Sequence, residues 1–222
     1  MFKNLMNFWK GKDFLSLVLK EFKDMLDDTE KMFTSVCRKL IDNQDEPGLK
    51  NNIYKLDKKV NTLQKNIRKR VIEHLSIQPT VDIPTSLLLM SVVKDAERVG
   101  DFAKNLFEVN GLLSSPIDKE EYIQLFNNIE KDISQLFQET KQAFIESDED
   151  KAAESWNYKK EISQKCDNII KSLAKSQLPA NKAVCFTLMA RYFKRIASHL
   201  TNIATSVILP LTDLDYFDEN RT

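Results

Sequence analysis

Apolar residues recur along this chain at spacings of three and four, broken at a few short polar stretches. From Phe14 onward, Phe14, Leu15, Val18, Leu19, Phe22, Met25, Leu26, Met32, Phe33 and Val36 fall at i, i+3, i+4 positions, which lines them along one face of a long amphipathic helix. Asn43 to Gly48, containing Asp-Glu-Pro-Gly, ends it. A second helix carries Ile53, Leu56, Val60, Leu63, Ile67, Val71 and Leu75, with Pro79 and Pro84 bracketing its end. Proline suits a first helical turn, so a third helix starts near Pro84 and runs through Leu87–Leu89, Val92, Val93, Ala96, Val99, Ala103 and Leu106. Gly111 to Pro116 closes this unit, and the order then repeats. Tyr122, Ile123, Phe126, Ile129, Ile133, Leu136, Phe137 and Phe144 predict one fourth helix, with a turn at Asp148 to Asp150. Trp156, Ile162, Cys166, Ile169 and Leu173 predict a fifth helix, and Pro179 opens a sixth through Phe186, Met189, Phe193, Ile196 and Ile203 to Ile208. The tail from Leu211 to Glu219 alternates acidic and apolar residues and predicts no regular element.

The two series are copies of one unit. Residues 95–105, D-A-E-R-V-G-D-F-A-K-N, return ninety-seven positions later as residues 192–202, Y-F-K-R-I-A-S-H-L-T-N. Arg98/Arg195, Val99/Ile196, Gly100/Ala197, Asn105/Asn202 and Leu106/Ile203 pair, whereas Glu97 and Asp101 become Lys194 and Ser198. The first and fourth helices align with Phe22, Leu26, Thr29 and Phe33 opposite Ile133, Phe137, Thr140 and Phe144. Val60, Leu63 and Ile67 stand opposite Cys166, Ile169 and Leu173. Each helix has one apolar stripe to bury, so the expected fold is all-α: six long helices in two tandem antiparallel three-helix bundles, residues 1–115 and 116–222, that abut around an apparently continuous core.

Composition sharpens this picture. Four glycines and six prolines in 222 residues leave little material for β-turns, which favours helices. Thirty-three basic and thirty-three acidic residues cancel, so no net field favours nucleic acid. Cys37, Cys166 and Cys185 are odd in number without C-x-x-C spacing, and two histidines, His74 and His199, complete a thin set of soft ligands. These features, with no secretory leader and no apolar run long enough to span a bilayer, predict a cytoplasmic protein with reduced thiols.

Candidate chemistry lies on the third helix. Glu97 and Asp101 are four residues apart, so one turn brings both carboxylates onto one face, where they repel by about 0.2–0.5 kcal/mol. Gly100 beside them costs about 1 kcal/mol of helix propensity relative to alanine, which points to a crowded helix approach. On the antiparallel second helix Asp57 and Asn61 form another i, i+4 oxygen pair, so four oxygen donors suited to magnesium, calcium, manganese or iron can converge. In the second unit the corresponding residues are Ser163 and Asp167, and Lys194 and Ser198. There Lys194 is expected to pair with Asp167 in place of an ion.

The phrases D-A-E-R-V-G-D-x-A-x-N and A-R-Y-x-x-R-I-x-x-H-x-x-N-I-A resemble the paired signatures of the PhoU-domain family, the phosphate-uptake regulators, over nearly the whole chain. The phrase L-D-K-K-V-N-T-L-Q from Leu56 and the terminal L-D-Y-F-D-E are similar to that family too, and to the soluble domain of some bacterial sodium/phosphate cotransporters. The resemblance implies two three-helix repeats and a cytoplasmic, non-enzymatic regulator of phosphate uptake and homeostasis that contacts a phosphate transporter, a sensor histidine kinase, or both. It also implies acidic motifs on the second and third helices of each repeat that hold metal, often iron. Carried across, the match is full at Glu97 and Asp101, half at Asp57 with Asn61, half at Asp167 with Ser163, and absent at Lys194 and Ser198.

Two other functions compete. A metal-carboxylate enzyme would use Asp57, Glu97 and Asp101 to hold an ion that activates water or oxygen, although no Glu-x-x-His pair is present. A module lying peripherally on the inner face of the membrane would use Phe2, Leu5, Met6, Phe8 and Trp9 among Lys3, Lys10 and Lys12. Those same residues suit a bundle cap or a contact with a second subunit of a homodimer. His74 and His199 are expected to serve packing or the surface, Arg98 and Arg195 to pair with acids, and Trp156 to anchor packing.

Overall fold

The computed structural model describes residues 13–78, 80 and 82–215. Phe2 to Lys12, Pro79 and Tyr216 to Glu219 lie outside the described residues, as do the side chains of Phe14 and Leu15. Among the described residues there are seven α-helices and no strand: α1 (Asp13–Asp42), α2 (Leu49–Ile77), α3 (Ile83–Val109), α4 (Lys119–Phe126), α5 (Ile129–Glu146), α6 (Glu149–Leu173) and α7 (Ala180–Thr205). A single 3-10 turn, Leu211–Asp213, lies in the acidic tail.

The breaks follow local chemistry. Asn43 turns left-handed after α1 (φ 53°) and donates its side-chain amide to the Ile117 carbonyl at 3.1 Å; Gly48, at φ 77°, supplies the positive dihedral at the entry to α2. Pro84 occupies the first turn of α3, where no amide hydrogen is needed. Asp118 and Asp148 cap α4 and α6 by accepting from the Glu121 and Lys151 amides at 2.8 and 3.0 Å.

The predicted fourth helix is two helices. Asn127 and Asn128 both adopt left-handed backbone (φ 49° and 53°), so α4 stops and α5 restarts within three residues. Asparagine tolerates that conformation, and the buried Tyr122 and Phe126 rings of α4 stack at 4.8 Å while α5 carries the apolar stripe onward. The apolar spacing therefore continues across a real break.

The core is shared between the halves. Phe22 of α1 packs on Phe144 of α5 with centroids 4.7 Å apart, and Phe33 meets Phe137 at 5.6 Å and Phe193 of α7 at 6.1 Å. One buried cluster runs from Met32 through Val99 and Phe137 to Leu200, joining both units. Each buried phenylalanine contributes about 1.5–3 kcal/mol of burial energy, and each such ring pair about 0.5–1.5 kcal/mol more. Outside the rings, Lys141 of α5 bridges Asp27 and Glu30 of α1, closing the seam between halves.

Gly100 sits at a close approach of α3 to α1 and α2. A β-carbon there would stand 3.3 Å from Thr29 Cγ2 of α1 and 3.6 Å from Val60 Cγ1 of α2, which accounts for a glycine in the middle of α3. The three cysteines are buried and free, and burial pushes the Cys166 thiol up to about 12.

Candidate functional site

Helices α2 and α3 place the acidic residues of the first unit on one side of the bundle. Lys104 Nζ donates to Asp57 Oδ1 at 2.8 Å and to Asp101 Oδ1 at 3.2 Å, so one ammonium joins the two helices. Arg98 Nη1 donates to the other oxygen of Asp101 at 3.1 Å, and its Nε lies 3.8 Å from Glu97 Oε2. The three carboxylates are mostly covered, with side-chain exposures of 15, 18 and 25% for Asp57, Glu97 and Asp101. Asn61 is half-buried one turn beyond Asp57 on α2.

Charge is concentrated here. Burial and then the neighbouring Asp101 carboxylate hold Glu97 above its ordinary pKa, with Asp57 adding and Arg98 and Arg68 opposing. Burial alone would depress Lys104, but its hydrogen bonds and charge contacts with Asp57 and Asp101 outweigh that and hold it above the usual lysine value. Asp57 and Asp101 thus fit a bound cation in donor type and convergence, and the cation between them is Lys104. Among the described residues no group of three or more His, Cys, Asp or Glu side chains is arranged to hold a metal ion.

In the second unit Lys194 Nζ donates to both oxygens of Asp167 at 2.7 Å, as the exchange of Glu97 for Lys194 predicted. Ser198 turns its hydroxyl back to the Lys194 carbonyl at 3.0 Å, and Ser163 Oγ is buried without a hydrogen-bond partner in the protein. At the positions equivalent to Asp57, Asn61, Glu97 and Asp101 this half has one carboxylate, neutralised by its own lysine.

Several paired groups escaped the sequence reading. Lys104 is one, since its spacing of three from Asp101 was the only local signal. Asp28 is another: it is buried beside Thr29 and forms an ion pair with Lys59 of α2, Nζ to Oδ2 at 2.6 Å. Its counterpart Glu139, buried beside Thr140, forms an ion pair with Lys151 of α6, Nζ to Oε2 at 3.0 Å. The alignment of Thr29 with Thr140 already placed these acids opposite each other. The histidines are paired as well: His74 Nε2 lies 3.2 Å from Asp82 Oδ2, and His199 Nδ1 lies 2.7 Å from Asp95 Oδ1 while its ring stacks on Phe102. Asn202 donates to the same Asp95 oxygen at 3.3 Å, so α7 grips α3 through one buried carboxylate. Trp156 is half-buried with Lys159 Nζ over its ring at 4.1 Å.

With this geometry in hand, the family model described as the PhoU domain matches residues 22–109 and again residues 126–207. The chain belongs to the PhoU domain family. Its PhoU fold superimposes on the crystal structure of PhoU from Pseudomonas aeruginosa with a TM-score of 0.76 at 23% identity, covering 88% of this chain and 95% of that one. For the phosphate transport system regulatory protein PhoU from Streptococcus pneumoniae the TM-score is 0.74 at 16% identity, covering 92% and 97%. A phosphate-specific transport system accessory protein PhoU homolog from Clostridium acetobutylicum is 25% identical over 187 residues, 79% of this chain and 83% of the relative. PhoU homolog 1 of Thermotoga maritima is 22% identical over 203 residues, 87% and 81%. No helix among the described residues is long and apolar enough to cross a membrane.

Proposed function

We propose that this chain is a regulator of phosphate uptake and phosphate homeostasis that acts by binding, as a cytoplasmic adaptor between a phosphate transporter, a sensor histidine kinase, or both. The observation that carries this reading is the PhoU match in each half of a single continuous core, together with curated relatives named as accessory proteins of phosphate-specific transport. Residues 1–115 and 116–222 are read as the two duplicated units. Ion pairs occupy the carboxylates of the candidate site, an arrangement suited to holding helices in register rather than to turning over a substrate. Disrupting the coding sequence in its host should alter phosphate uptake under phosphate-replete growth, and the wild-type chain should restore it. Unchanged uptake, together with a pull-down that recovers neither transporter nor kinase, would overturn the reading.

A second reading concerns metal. Asp57, Asn61, Glu97 and Asp101 would hold an oxygen-liganded ion, iron among the candidates, if Lys104 swung out from between Asp57 and Asp101. The convergence of those two carboxylates and the raised Glu97 carboxyl favour it. Lys104→Met removes the competing ammonium and should raise the metal retained after purification, measured by elemental analysis, while Glu97→Ala with Asp101→Ala should abolish it. Equal, negligible metal in all three proteins rules it out. Asp167, neutralised by Lys194, is predicted to bind none.

A further inference from the structure

Charge is balanced over the whole chain but not along it. From Asn168 to Thr212, which takes in the end of α6 and all of α7, there is no aspartate or glutamate, while Lys171, Lys175, Lys182, Arg191, Lys194 and Arg195 fall there. Two of these have internal partners: Lys194 holds Asp167, and Lys182 pairs with Glu121 of α4 at 2.7 Å. Lys171, Lys175, Arg191 and Arg195 are exposed and have no ion-pair partner among the described residues.

These four cations border an apolar groove. Between the end of α6 and the start of α7 lies a slot of about 310 Å³, walled by Ile170, Ala174, Val184 and Leu188 above the buried Leu173. Val184 is 56% exposed there. Val184, Leu188, Arg191 and Arg195 are spaced i, i+4, i+7, i+11, so they share one face of α7. Lys171 and Lys175 each follow a groove residue of α6, about 100° farther round that helix on its solvent side.

The first unit occupies the equivalent place with a side chain. The alignment that sets Val60, Leu63 and Ile67 opposite Cys166, Ile169 and Leu173 also sets Gln64 opposite Ile170 and Arg68 opposite Ala174, and Ser91 of α3 falls opposite Leu188. Arg68 is half-buried, its Nε is shielded from solvent, and its charge acts on Glu97 across the seam between α2 and α3. Alanine in place of that arginine leaves a slot, and isoleucine and leucine in place of glutamine and serine make its walls apolar. The opening therefore comes from the side chains of the second unit rather than from the backbone of the repeat.

We propose that this groove docks an amphipathic helical segment of a partner protein that carries aspartates or glutamates beside its apolar stripe. Side chains of leucine size enter the slot, and the acids meet Lys171 and Lys175 on one side and Arg191 and Arg195 on the other. A concave slot takes protruding side chains, which a bilayer surface does not offer, and the phosphates of a nucleic acid would leave Val184 and Leu188 uncovered. The basic rim selects an acidic partner and speeds encounter, while insertion supplies affinity. This names the partner chemistry of the adaptor reading and rests on it.

The probe is a fluorescein-labelled, alanine-based helical peptide with leucines at i, i+4 and i+7 flanked by glutamates, followed by anisotropy against the full-length protein. The wild type should bind it in the micromolar range, about tenfold more weakly at raised salt or when lysines replace the glutamates. Ile170→Gln with Ala174→Arg, which installs the residues of the first unit, should weaken binding about tenfold with helix content unchanged by circular dichroism. Val184→Asp, at an exposed position, gives the same readout if that pair fails to fold. Lys171→Glu with Lys175→Glu should shift preference to the lysine peptide. No binding by the wild type, or equal binding by the groove variants, overturns the proposal. So does a groove-dependent dimer in sedimentation, which would make a second copy the occupant, or binding of phosphatidylglycerol vesicles or single-stranded RNA in place of the peptide. If a pull-down recovers transporter or kinase equally with the wild type and the groove variants, the groove assignment falls and the adaptor reading survives. If the peptide binds as stated while the wild type recovers neither, the adaptor reading falls and the groove stands.

Discussion

Gly100 and its facing methyl group show how one atom sets helix separation. Alanine there would gain about 1 kcal/mol of helix propensity, but its β-carbon would press on Thr29 Cγ2, whose side chain is held by donation of Oγ1 to the Leu26 carbonyl at 3.0 Å. Gly100→Ala alone should therefore be neutral or destabilising. In a Thr29→Ser background the same change should stabilise by up to about 1 kcal/mol, because serine keeps the hydroxyl and vacates the methyl; a urea double-mutant cycle measures the coupling. At the acidic cluster, Glu97 has a folded pKa above its ordinary 4.5, so the native state holds its proton more tightly than the unfolded chain. The stability this gives is full below about 4.5 and is lost as pH rises through the folded value. Glu97→Gln should then leave stability little changed in acid and raise it at neutral pH, seen as a thermal-midpoint difference that grows across that window. Lys104→Met should do the reverse at neutral pH, costing about 1–3 kcal/mol by leaving Asp57 and Asp101 without their shared cation.

Among the elements, the break between α4 and α5 was hidden because Asn127-Asn128 contains neither glycine nor proline and the apolar spacing runs through it. Asn127→Gly should be tolerated, whereas Asn127→Val should cost about 1–2 kcal/mol in chemical denaturation, since a β-branched residue resists a left-handed backbone. The remaining helices were legible because each carries a stripe at helical spacing and is separated from the next by a stretch holding a proline, a glycine or a capping aspartate. The pairing of Lys194 with Asp167 was legible for another reason: aligning the repeats put a cation where an acid had been. Lys104 offered no comparable signal. A lysine three residues past an aspartate normally faces water, and only the placement of α2 brings Asp57 onto the same ammonium. Asp28 and Glu139 were likewise obscure, because an acidic residue reads as solvated until tertiary packing covers it.

For the molecule as a whole, duplicated sequence has produced one interior. Phe33→Ala removes a ring that touches both Phe137 and Phe193 and should cost about 3–5 kcal/mol. With Trp9→Phe leaving only Trp156 on α6 as the probe, that change in the first unit should still lower the midpoint of a single urea transition; two separate transitions would show the halves unfolding independently. The shared interior also bears on biosynthesis. When the first unit leaves the ribosome, the partners of Phe33 and Phe22 have yet to be translated, so a raw apolar wall faces solvent until Phe137, Phe144 and finally Phe193 emerge. Nascent chains stalled between the two halves should be ready substrates for chaperones and proteases, and completion of folding should coincide with release of α7.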